Sequence, residues 1–150
     1  MRVADIMTRD VVVATPDMPV TEVARLMVDH DISGLPVLDG DRLVGLVTDL
    51  DLIARHQEPE MPSIFAFFGG YITFGEREYE EEMRRILATT AAELMTTTVF
   101  SIREDATIEE LATLMYEREV NPVPVLNAQR RMVGIVSRSD LIRLFVREGD

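Results

Sequence analysis

Gly45-Leu46-Val47-Thr48-Asp49-Leu50-Asp51 recurs 89 residues later as Gly134-Ile135-Val136-Ser137-Arg138-Ser139-Asp140. In both copies a glycine is followed by two aliphatic residues, a hydroxyl, two variable positions and an aspartate. Each copy follows a short apolar run (Leu43-Val44, Met132-Val133) and precedes a helix-like run (Leu50 to Ala54, Leu141 to Val146). This pattern predicts a strand that ends at the hydroxyl and turns directly into a helix. Thr48 with Asp51, and Ser137 with Asp140, have the spacing of a capping box, and an acid in the first turn complements the helix dipole. The same groups also suit a ligand. A carboxylate accepts hydrogen bonds from a diol such as that of ribose, and backbone N–H groups at a helix start suit phosphate. Duplication does not decide between cap and site, because a duplicated fold duplicates its caps.

Working outward, the repetition covers most of the chain. Asp5-Ile6-Met7-Thr8 matches Glu93-Leu94-Met95-Thr96, Leu26-Met27 matches Leu114-Met115, and Pro36-Val37-Leu38 matches Pro124-Val125-Leu126, all at an offset of 88. The offset becomes 89 at the motif glycine, so the second copy carries one extra residue in the preceding turn. The chain therefore divides into a first repeat, 1–56, an insert, 57–90, and a second repeat, 91–150. Each repeat opens with a helical turn (Val3 to Met7 in the first), followed by a strand (Val11 to Ala14). An amphipathic helix comes next, its apolar face formed by Val20, Val23, Ala24 and Met27, or by Ile108, Leu111, Ala112 and Met115. Thr107 and Glu110 form a capping box at the second of these helices, where Pro19 stands in the first copy. A hairpin, Leu35–Leu38 and Leu43–Val47, turns at Asp39-Gly40-Asp41. This is an α/β (α+β) chain built from two β-α-β-β-α units.

Composition narrows the function. At 150 residues and 47% hydrophobic, the chain is long enough for a real core. A net charge of −12 argues against a general nucleic-acid binder. There is no cysteine, which excludes disulfides and thiolate chemistry. All 15 basic residues are arginine, which excludes a Schiff-base lysine and a lysine-bearing P-loop. No secretory signal opens the sequence, and Met61 to Phe74 is too short and glycine-broken to span a bilayer. The expectation is a cytoplasmic, soluble protein with no membrane partner.

The ordered motifs resemble a tandem pair of CBS (cystathionine β-synthase) domains, here a stand-alone pair. The supporting residues are Asp5 to Thr8, Gly34-Leu35-Pro36-Val37-Leu38-Asp39 and Gly45 to Asp51. In the second repeat they are Glu93 to Thr96, Asn121-Pro122-Val123-Pro124-Val125-Leu126 and Gly134 to Asp140. The resemblance implies a disc, or Bateman-type module, with two pseudo-two-fold clefts for adenosine ligands: AMP, ADP, ATP or S-adenosylmethionine, with Mg²⁺ as an accompanying ion. It implies that Asp51 and Asp140 hold ribose hydroxyls and that Thr48 and Ser137 contact ribose or phosphate. Adenine is then expected against Val12, Leu35 and Pro36 in one copy and Phe100, Val123 and Pro124 in the other. Core packing is the competing role for Val12 and Leu35. Between hydroxyl and aspartate stand Asp49 in one copy and Arg138 in the other. The Ser137/Asp140 site is accordingly expected to prefer phosphorylated adenosine through Arg138. The Thr48/Asp51 site is expected to be empty, to need a cation or to take a less anionic ligand.

The insert carries four of the six phenylalanines, in Met61 to Phe74, and an acidic helix is expected over Glu76 to Leu87. The resemblance implies a homodimer with this segment at or near the contact. Catalytic groups do not assemble in the sequence. His30 and His56 lack metal-ligand spacing, and His30 reads as a helix end. Glu78 and Glu80 to Glu82 read as a solvated helix face. No nucleophile elbow is present. The expected function is a non-enzymatic sensor, such as an energy sensor, with no catalytic cofactor and no metal, controlling a protein partner of unknown identity. The alternative is a dimerising scaffold with vestigial clefts.

Overall fold

The computed structural model describes residues 1–56 and 88–149. The expectations for the insert, including the aromatic run and the acidic helix, lie outside the described residues.

A 3₁₀ turn, Val3–Asp5, opens the chain, followed by helix α1, Val20–Asp29. The hairpin β1, Gly34–Asp39, and β2, Arg42–Thr48, leads into α2, Asp49–Ala54. The second repeat begins with a short helix α3, Ala91–Leu94. It continues with β3, Ile102–Arg103, α4, Ile108–Arg118, and the hairpin β4, Val123–Leu126, and β5, Met132–Val136. It ends in α5, Arg138–Gly149. Both hairpins are antiparallel. Val37 lies opposite Gly45 and Val125 opposite Gly134, and the ladder shifts register immediately after Val37 and Val125, at equivalent places. The predicted helix faces hold: Val20, Val23 and Met27 are buried in α1, and Ile108, Leu111 and Met115 in α4. The Thr107–Glu110 capping box forms, with the Glu110 N–H donating to Thr107 Oγ1 and the Thr107 N–H to Glu110 Oε2.

The strand expected over Val11–Ala14 does not form as such. Only Ala14 bridges Val37, its N–H donating to the Pro36 carbonyl and its carbonyl accepting from the Leu38 N–H. In the second repeat β3 pairs parallel with β4, and the Glu104 N–H extends the ladder to the Leu126 carbonyl at 3.0 Å. The residue equivalent to Glu104 is Pro16, which has no N–H to give, so the ladder stops.

The two hydrophobic cores exchange their opening turns. Val3 and Met7 lie in a core otherwise made by the second repeat, with Leu111, Val123, Val136 and Leu144. Ala91 and Leu94 lie in a core otherwise made by the first repeat, apart from Ala88. The seats are the motif glycines. A Cβ at Gly134 would fall 2.6 Å from Met7 Sδ, and one at Gly45 would fall 2.7 Å from Met95 Cγ. Reciprocal backbone hydrogen bonds then zip Thr8 to Ile135 and Thr96 to Leu46, at 2.9–3.0 Å. Each repeat is thus completed by the other.

Candidate functional site

Because the opening turns cross over, the chain that follows them crosses too, and it builds two clefts. Each cleft takes most of its strand-to-helix motif from one repeat and most of its remaining wall from the other. The wide cleft, about 690 Å³, joins Val11, Val12 and the α1 exit at Asp31 to Gly34 with Ile135, Ser137 and Asp140. The narrow cleft, about 350 Å³, joins Val99, Phe100 and the α4 exit at Glu119 to Asn121 with Leu46, Thr48 and Leu50. Both helix exits turn through a left-handed residue, Asp31 at φ 51° and Glu119 at φ 53°. Non-glycine residues adopt that region uncommonly, and finding it twice reflects the pseudo-symmetry.

This geometry regroups the residues expected from the sequence. Val12 faces Ser137 and Asp140, not Thr48 and Asp51; Phe100 shares its cleft with Thr48, not with Ser137. Leu35, Pro36, Val123 and Pro124 are each less than 2% exposed and border neither cleft. Leu35 and Val123 belong to the two hydrophobic cores and Pro36 and Pro124 to the covered opposite face of the same strands, while the preceding residues, Ser33, Gly34 and Pro122, border the wide cleft. Arg138 borders the narrow cleft and not the wide one. The expected phosphate preference of the Ser137/Asp140 side loses its basis, because the arginine that motivated it points to the opposite cleft.

Both capping boxes form. The Asp51 carboxylate accepts from the Thr48 N–H at 2.9 Å and the Thr48 hydroxyl at 3.2 Å, and Asp51 is only 6% exposed. Asp140 Oδ2 accepts from the Ser137 N–H at 2.8 Å and the Ser137 hydroxyl at 3.1 Å. Its other oxygen, Oδ1, accepts from Arg143 Nη1 at 3.0 Å. That arginine is 68% exposed, so the pair is a weak surface ion pair that a competing donor can displace. A diol in the wide cleft thus has an acceptor in Asp140 Oδ1.

The helix starts are less open to phosphate than expected. In α2 the first three N–H groups are all taken, by the Ser33 carbonyl, Asp49 Oδ1 and Thr48 Oγ1. In α5 the Arg138 N–H donates to Asn121 Oδ1 at 2.9 Å and the Asp140 N–H to Ser137 Oγ. Asn121 is a residue the sequence reading left without a role. Its Nδ2 also donates to Ser33 Oγ at 3.2 Å, linking equivalent positions of the two repeats. The available signal was its place, 88 residues after Ser33 and just before the second hairpin.

Charge separates the clefts. Asp10, Asp31, Asp49 and Asp140 border the wide cleft with His30 and the single arginine Arg143. The narrow cleft has Asp49, Glu119 and Arg138. The guanidinium of Arg118 stands over the Phe100 ring, 5.2 Å from its centroid, in a cation–π contact. Among the described residues no group of three or more metal-ligating side chains converges, and no helix is long and apolar enough to cross a membrane.

The alternation of hairpin and helix, the duplication and the paired clefts define a two-repeat ligand-binding module of mixed α/β class. The family model of the CBS domain matches residues 3–58 and 91–147, and the chain belongs to that family. It is 31% identical over 155 residues to MJ1426 of Methanocaldococcus jannaschii, covering 97% of this chain and 92% of that protein. It is similar in structure to CBSX2 of Arabidopsis thaliana in complex with AMP, with a TM-score of 0.81, 26% identity and 99% of each chain covered. The CBS domain pair of protein MJ0100, in complex with 5′-methylthioadenosine and S-adenosyl-L-methionine, matches with a TM-score of 0.72, 26% identity and 99% and 98% coverage. The chain spans 62% of full-length CBSX2 and 46% of another relative, MJ1225.

Proposed function

We propose that this protein is a regulatory module that binds adenosine ligands in its two crossed clefts and changes shape with their occupancy. The observation that carries this reading is the cleft architecture. The Ser or Thr at a helix start of one repeat meets apolar residues of the other, Val11, Val12 and Ile32 in the wide cleft and Val99, Phe100 and Val120 in the narrow one, in a fold matched over 99% of its length by CBSX2 in complex with AMP. In this reading Asp140 Oδ1 takes a ribose hydroxyl, Ser137 and Thr48 flank the ligand, and Val12 and Phe100 contact the base. Asp51 acts mainly as a cap. The module performs no catalysis and acts in the cytoplasm on a protein partner. It does so as a homodimer joined through exposed apolar helix residues such as Val28, Ile53, Tyr116, Ile142 and Phe145. A ligand shifts such a module only by its difference in affinity for the two shapes.

The test is a thermal-shift panel of AMP, ADP, ATP, S-adenosylmethionine, 5′-methylthioadenosine and NAD, with and without Mg²⁺, on wild type and Asp140→Ala. A ligand at a hundred times its Kd adds about 2.7 kcal/mol of apparent stability. Stabilisation by an adenosine ligand that weakens in Asp140→Ala supports the reading. No stabilisation by any of them at millimolar concentration leaves the second reading, a dimerising scaffold. One observation favours that alternative: both Ser/Thr–Asp pairs are already engaged as helix caps.

A further inference from the structure

Asp49 and Arg138 occupy equivalent positions, the first residue of α2 and of α5, and carry opposite charges. Crossing places Arg138 at the cleft that also holds Thr48 and Phe100. Asp49 borders both clefts, and its Oδ1 is turned back onto the Leu50 N–H at 2.8 Å. The wide cleft adds Asp10, Asp31 and Asp140, against one arginine already paired to Asp140. We propose that the two clefts sort adenosine ligands by the charge of the 5′ substituent: the narrow cleft takes those bearing phosphate, and the wide cleft takes those whose 5′ group is uncharged or cationic, such as a thioether or sulfonium. This rests on the adenosine-binding reading above and deepens it.

The chemistry follows from what each rim offers. In the narrow cleft Arg138, unlike Arg143 without an ion pair to a cleft carboxylate, stands beside only two acids, Asp49 and Glu119, against four in the wide cleft, and a guanidinium binds phosphate through paired N–H donors. Arg118 does not border the narrow cleft but stacks on Phe100, which does. In the wide cleft a phosphate would approach carboxylates, while a sulfonium would be attracted to them and a thioether would be indifferent. Opposite and like charges at such distances move binding measurably at the effective dielectric of a protein surface, and the effect weakens with salt.

The experiment is isothermal titration of the full chain with ATP, AMP and 5′-methylthioadenosine, on wild type and on Arg138→Asp. Arg138→Asp copies the residue of the other repeat and places an acid in a helix first turn, where it is tolerated. The expected result is an affinity loss for ATP of roughly tenfold or more, with 5′-methylthioadenosine unchanged. Raising salt should weaken binding of ATP and AMP and leave that of 5′-methylthioadenosine unchanged. Binding of ATP within about threefold of wild type in Arg138→Asp, or an equal loss for 5′-methylthioadenosine, overturns charge sorting while leaving adenosine binding intact. Binding of none of the three ligands to wild type overturns both. Asp49→Arg is the second variant. Binding of ATP at two sites per chain instead of one supports the proposal, and an unchanged ATP stoichiometry and affinity overturns it.

Discussion

At the scale of single residues, the motif glycines do the work that a reader of the sequence would assign to the aspartates. Gly134 has no room for a side chain because Met7, from the other repeat, lies against it. Gly134→Ala is expected to cost about 1–3 kcal/mol, as overpacking does, measured by urea unfolding. In a Met7→Ala background the same substitution should cost clearly less, since contacting sites are not additive. A full penalty in that background would show that Met7 is not the obstacle. The aspartates are caps first. Ser137→Ala removes one acceptor of the capping box and should lower stability by about 1 kcal/mol. If Ser137 also flanks the ligand, that variant loses adenosine-ligand affinity, whereas Thr107→Ala, an equal loss of a cap at α4, does not.

At the scale of elements, what was legible was local. Helix faces, hairpins and caps are written in spacings of two, three and four residues, and α1, α4 and both hairpins follow them. The strand expected at Val11 to Val13 is absent at the equivalent Val99 to Ser101 as well, and Pro16, which has no N–H to match that of Glu104, shortens the ladder only beyond Ala14. The crossing was not legible, for a physical reason. In a duplicated chain a contact within a repeat and its counterpart across repeats join the same kinds of residue. Met7 against Gly45 and Met7 against Gly134 are therefore indistinguishable by type. The regrouping of Val12, Phe100 and Arg138 follows from that degeneracy. Leu35, Pro36, Val123 and Pro124 lie in strands buried without alternation, a pattern that marks an interior strand and does not separate core from cleft wall. The core is firm where the pattern is strongest. Leu111→Ala, at a fully buried position of α4, should cost about 2–5 kcal/mol, read from the denaturation midpoint.

At the scale of the whole molecule, stability is shared between the repeats. Deleting residues 1–8 removes Val3 and Met7 from the core of the second repeat. The loss should appear there, as faster amide hydrogen exchange in α4 and β4 than in α1 and β1. Uniform loosening, or loosening confined to the first repeat, would contradict the exchange of opening turns. The link between Asn121 and Ser33, with the Arg138 and Asp49 N–H groups bonded to those same two residues, ties the rims of the clefts together.

The exchanged turns also say something about symmetry and its loss. A lone repeat would carry an opening turn with no seat of its own, and it would close only against a second identical chain. Two clefts made that way are the same cleft twice, bound to share every substitution. Joining both halves in one polypeptide frees each position to differ from its counterpart. An aspartate and an arginine at one equivalent site are such a difference, and the two clefts they border are no longer copies of each other.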